Sequence, residues 1–151
     1  MDPQTVWKWL EQLLGAILIA LALADVFVTV LYARTHVGII GDRVARVTWR
    51  IFEFVAERMG RHRGQILSYL GPVVVLLVVI AWIVVLTLGA GLVIHPMLGE
   101  GVKALHTETP TDFVTALLVG GHSITVVGDN NFSPETTGAR LFFIFASIAG
   151  L

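Results

Sequence analysis

The chain has 151 residues, of which 56% are hydrophobic and only 14% charged, with a net charge of −1. Ordinary soluble domains carry roughly 25% charged residues, so this composition points to a membrane protein, and the near-zero net charge leaves no basic footprint for nucleic acid. There is no cysteine, no HExxH-like histidine spacing, no phosphate loop, nucleophile elbow or dinucleotide fingerprint, so neither an enzyme nor a bound cofactor is expected.

The first apolar stretch runs from about Val6 to Ala33, with Trp7 and Trp9 at its start and Tyr32 near its end. Aromatic residues at both ends suit the two membrane interfaces. About 20 residues at 1.5 Å each cross the hydrocarbon layer, so this stretch is long enough to span it. Gly15 or Ala16, Ala20 and Ala24 recur at about four-residue spacing and predict a face for close helix approach. Ala22-Leu-Ala24 before Asp25 has the form of a signal-peptidase site, but Lys8 is offset by Asp2 and Glu11, so an uncleaved helix is expected. Asp25 is a charge embedded in this stretch. Such a charge costs roughly 2.5–3.5 kcal/mol at a bilayer centre on insertion scales, which makes it a functional candidate. It lies toward the linker, where Arg34 or Arg50 could pair with it in a structural clasp.

From Arg34 to Gln65 the chain carries seven arginines against Asp42, Glu53 and Glu57. The positive-inside rule puts this linker in the cytoplasm. Val44, Val47, Ile51, Phe54 and Val55 fall on one helical face, and Arg43, Arg46, Arg50, Glu53 and Glu57 on the other. That pattern predicts an amphipathic helix on the inner membrane surface, with a cytosolic face packed on another chain as the alternative.

The second apolar stretch, about Leu70 to Ile94, contains no charge after Leu70-Gly-Pro, and proline suits a helix's first turn. Its uninterrupted length predicts a spanning helix despite its β-branched residues. Trp82 within it reads as a lipid-facing or packing residue. Met97 to Thr111 is polar and turn-rich. Thr111 or Asp112 can cap a short helix over DFVTALLVGGHSIT, too short to span. A polar TVVGDNNFSP segment follows, then LFFIFASIAGL from about Arg140 to Leu151. A helix over that last segment reaches only half-way across a bilayer, so the sequence is expected to stop inside a spanning helix.

A short apolar helix, a glycine-containing polar segment and an apolar helix make a re-entrant arrangement, because non-helical backbone is tolerated at membrane depth only where it is buried or lines water. Residues 112–151 resemble the pore domain of tetrameric cation channels of the potassium-channel superfamily. The family's filter reads T-T-V-G-Y-G-D, and on it Thr125 and Val126 take the threonine positions, while Val127 and Gly128 are identities. The stretch is similar above all to the bacterial non-selective NaK-type channels, T-T-V-G-D-G-N-F-S-P, where Asp129, Asn131, Phe132, Ser133 and Pro134 are also identities. Ala116 and Leu117 match the family's pore helix, Arg140 a basic residue opening its inner helix, and Gly150 its hinge glycine. Asp25 to Leu31 and Gly71-Pro72, with the linker, resemble an N-terminal extension of some bacterial ion-channel-domain proteins.

The resemblance implies an all-α membrane fold: an N-terminal spanning helix in residues 1–36, a basic linker in 37–66 and a pore domain in 67–151. The pore domain would hold an outer helix at 70–95, a pore helix at 112–124, a selectivity filter at 125–131 and the incomplete inner helix from 138. It implies a homotetramer in the bilayer of a bacterial inner (plasma) membrane, and the basic linker, placed inside, puts the N-terminus outside. Filter carbonyls of Thr125, Val126, Val127, Gly128, Asp129, Asn130 and Asn131 would replace water around potassium or sodium, and Gly150 would be the gating hinge. Val126 removes the hydroxyls of the innermost site. Asn130 replaces a glycine whose backbone freedom the filter uses. Asp129 replaces the bracing aromatic and adds a ring of carboxylates at the outer mouth that can bind a divalent cation. Weak selectivity among monovalent cations is therefore expected, with a non-conducting structural or sensory subunit as the alternative. His122 reads as a packed neutral histidine, with a proton sensor as the alternative. Glu100, Glu108, Asp112 and Glu135 make a mildly acidic outer face.

Overall fold

The structure is a computed structural model and describes residues 3–31, 38–59, 64, 68–125 and 131–150. It is mostly helical. Helix α1 spans Pro3–Leu31, α2 Ile39–Met59, α3 Leu70–Ile94, α4 Phe113–Ile124 and α5 Thr137–Ala149. Two short strands, β1 (Val102–Ala104) and β2 (Phe132–Pro134), pair antiparallel, with Val102 opposite Pro134 and Ala104 opposite Phe132. Helices α1 and α3 are each long and apolar enough to cross a membrane, and only 22% of either apolar window is buried. Their side chains therefore turn outward, unlike those of a soluble protein's core helix.

Two compact units emerge, residues 1–21 with 85–151, and residues 22–84. In the first, α1 and α3 run antiparallel, with Glu11 beside His95 and Gly15 against Gly89. A methyl group on Gly15 would stand 2.6 Å from the Gly89 carbonyl oxygen, so the backbones touch. The buried stripe of α1 is Gly15, Ile19, Ala22 and Asp25, while Ala16, Ala20 and Ala24 are exposed. The predicted four-residue face is thus corrected. Steps of four drift around a helix of 3.6 residues per turn, and a mixture of steps of four and three stays on one seam.

The core of this unit is Ile94, Leu98, Val102, Ala116, Val119 and Ala139, with Met97, Phe132, Phe142 and Phe143 packed against it. Helix α3 ends in a single 3₁₀ turn, His95–Met97, and the chain reverses at Gly99. Gly99 has φ +86°, a conformation glycine adopts without steric cost. The Gly99 amide donates to the Val102 carbonyl, and the Glu135 amide donates to the Gly101 carbonyl, extending the β1–β2 ladder outward.

In the second unit, α2 starts where Gly38 meets Asp25. The α2 helix divides into three sectors. Gly41, Thr48 and Ala56 are buried, Val47, Ile51, Phe54 and Val55 are exposed apolar residues, and Arg43, Arg46 and Arg50 are exposed. The amphipathic pattern read from the sequence is present, with small residues making the packed edge.

Candidate functional site

Helix α4 is capped by Asp112, whose Oδ2 accepts from the Thr115 amide at 2.9 Å and whose Oδ1 accepts from the Thr115 hydroxyl at 2.8 Å. The Thr115 hydroxyl, and after it the Thr115 amide, hold the Asp112 carboxyl below its ordinary value. From this cap α4 runs antiparallel to the last turns of α3. Leu117 lies against Gly91, Gly120 against Ala90 and Gly91, and Gly121 beside Thr87. A methyl group on Gly120 would stand 2.7 Å from the Gly91 nitrogen, so this contact too is backbone on backbone.

Helix α5 is capped by Thr136, which accepts from the Ala139 amide. It starts where α4 starts: Thr111 lies next to Gly99, and the Thr136 hydroxyl next to Gly101. It also ends where α4 ends. The Ser147 hydroxyl donates to the Ser123 carbonyl at 3.4 Å, and Gly150 packs directly on the Ile124 carbonyl. The two helices, 12 and 13 residues long, are therefore parallel and level. Each is about 18–20 Å long at 1.5 Å per residue. A connection between parallel, level neighbours must travel back over that whole length.

Thr125 and Asn131 are described at the two ends of the return. The Thr125 hydroxyl donates to the His122 carbonyl at 3.0 Å, and its backbone is already extended, with φ −79° and ψ 146°. The Asn131 carbonyl accepts from the Leu105 amide at 2.9 Å, immediately before β2. The Arg140 guanidinium donates from Nε to the Pro134 carbonyl at 3.1 Å, tying β2 to α5. Val126, Val127, Gly128, Asp129 and Asn130 lie outside the described residues, as does Leu151. His122 is half-buried on α4. Gly150 is the cap of α5, and any side chain there would overlap the Ile124 carbonyl. Close packing is thus a sufficient reason for glycine at this position.

Asp25 is buried, but its partners differ from the arginines expected. Its Oδ1 accepts from the Ile40 amide at 2.8 Å, and its Oδ2 from the Gly41 amide at 3.3 Å and the Trp82 Nε1 at 2.9 Å. It caps the first turn of α2, where free amides and the helix dipole favour an anion. Arg50 is exposed, and Arg34 lies outside the described residues. Trp82 is corrected likewise: its indole donates to a carboxylate as well as packing. Gly38 meets the Asp25 carboxylate so closely that a Cβ would overlap it, and its amide donates to the Thr29 hydroxyl at 3.1 Å.

A second polar pair was not legible. Glu11 on α1 sits 2.7 Å from His95 Nδ1, and the His95 ring meets Phe113 of α4 edge-on at 5.7 Å. An open groove of about 550 Å³ adjoins the pair, bordered by Trp7, Lys8, Pro96 and Thr111. The signal available was one polar residue near the start of α1 and one at the end of α3, which antiparallel packing brings level. Among the described residues no group of three or more His, Asp or Glu side chains is arranged to hold a metal ion. The chain matches no protein-family model, no curated protein and no solved structure.

Proposed function

We propose that the chain is a subunit of a tetrameric cation channel of the potassium-channel superfamily, with α3 as outer helix, α4 as pore helix, 125–131 as filter and α5 as the start of the inner helix. The observation that carries this reading is the parallel, level pair α4 and α5, whose connection must return past α4. A chain that descends, returns and descends again brings polar backbone to membrane depth, where it is tolerated only facing protein or water. In sequence, the TVVGDNNFSP segment lies between the two helices. Four copies around an axis would line a path with its carbonyls. The C-terminal end of α4 carries a partial negative charge that favours a cation beneath the filter.

In this reading the N-terminus is outside a bacterial inner membrane and the arginines of α2 are inside. The path discriminates potassium from sodium weakly, because Val126 lacks the inner hydroxyl, Asn130 replaces glycine and Asp129 replaces the bracing aromatic. The Asp129 carboxylates form an outer ring that attracts cations and takes a divalent blocker.

The test is the reversal potential of the full chain in planar bilayers with potassium on one side and sodium on the other. Measurable current reversing near zero is the expected result. Reversal near the potassium potential overturns weak selectivity. No current from confirmed tetramers overturns conduction and leaves a structural or sensory subunit with a pore-like fold.

A further inference from the structure

We infer that the groove between α2 and the start of α3 is a binding site for one anionic phospholipid of the bilayer; this rests on the membrane reading above. The groove has a volume of about 360 Å³ and is bordered by Ala45, Arg46, Trp49, Leu70, Gly71 and Val74. Its lining is apolar except at Arg46. A hydrocarbon chain fits such walls, and a free aqueous anion does not. Trp49 is 50% exposed, as suits an indole at the level of lipid headgroups.

The charge at the mouth selects the headgroup. Asp42 takes the Arg46 Nε and one Nη2 donor through its carbonyl and Oδ2, yet the Arg46 side chain remains 64% exposed. A guanidinium has five N–H donors, so donors remain for a phosphate oxygen. Arg43, Arg46 and Arg50 share one face at steps of three and four, against Asp42 alone in those turns; Glu53 and Glu57 follow farther along. The groove thus opens beside the cationic half of α2. Leu70 and Gly71 belong to the first turn of α3, where the helix dipole adds partial positive charge at the same mouth.

Gly71 provides a clean probe. Among the described residues nothing lies within 4 Å of where its Cβ would stand, so a side chain there meets none of them. The full chain is assembled in nanodiscs of equal phosphatidylglycerol and phosphatidylcholine, then released for native mass spectrometry. The wild type should retain phosphatidylglycerol over phosphatidylcholine by about five-fold, the equivalent of roughly 1 kcal/mol per arginine at a membrane surface. Arg46→Gln should lower that ratio by about the same factor, and Gly71→Leu should remove one bound lipid. Equal retention of the two lipids by the wild type, an unchanged ratio in Arg46→Gln, or an unchanged lipid count in Gly71→Leu overturns the site. Carbonate extraction of the same membranes separates the two readings. A chain that washes off overturns the spanning reading, whereas an embedded chain without the selective lipid overturns the site alone.

Discussion

A carboxylate inside an apolar helix persists only where donors converge on it, and Asp25 has three. Asp25→Ala leaves the Ile40 and Gly41 amides and the Trp82 indole without their acceptor, at about 1–3 kcal/mol for each buried donor. Hydrogen exchange at Ile40 and Gly41 should accelerate, while exchange in α4 stays unchanged; equal protection in the variant would show that the clasp is not held by Asp25. Asp25 itself was legible, being a charge in an apolar run. Its partners were not, because two of them are backbone amides that carry no residue signature. Asp112 responds to pH in a calculable sense. Its folded carboxyl is held below the ordinary value, so its contribution to α4 is complete above that value and is lost as pH falls through the lowered one. The protection of the Thr115 amide, relative to its intrinsic exchange rate at each pH, should therefore fall at acid pH in the wild type, and that fall should disappear in Asp112→Asn, which caps without titrating.

Helices α1 and α3 were readable because an apolar run of that length has few other uses, and α2 because its arginines and valines separate on the helical wheel. The caps of α4 and α5, Asp112 and Thr136, lie at the residue types that favour that position. The strands β1 and β2 were unreadable: three residues each give no period, and their pairing joins positions distant in sequence. The helix contacts depend on glycine where backbones touch. Gly15→Leu drives a side chain into the Gly89 carbonyl and should lower stability by about 1–3 kcal/mol or more, as overpacking does. Thermal unfolding in detergent measures this, with Ala16→Leu on the exposed side as the neutral control. Gly120→Val should behave like Gly15→Leu, and its failure to destabilise would deny the close α3–α4 approach.

At the scale of the whole molecule, apolar surface is left without cover. Leu141, Ile144, Phe145 and Ile148 form an exposed stripe on α5 at steps of three and four. In the tetramer proposed, this stripe meets neighbouring copies. Cross-linking in native membranes should give a ladder that ends at four chains, and Phe145→Asp should shorten it; a ladder ending at two would exclude the four-fold pore. Asp129→Asn should raise the concentration of calcium needed for half-block, with monovalent current retained. In the tetramer proposed, the atoms facing a cation come from four chains, so their geometry leaves no signature in one. The β1–β2 ladder has a mechanical consequence of its own. Both strands receive load from the Val102–Pro134 end, so tension between α3 and α5 peels the ladder one bond at a time, starting at Gly101 and Glu135. Until Ala104 and Phe132 part, the pull is not passed along the backbone from Ala104 to Leu105. The pair of strands is thus a strain relief: a pull between the two helices is taken up across the ladder before it reaches the backbone beyond Ala104.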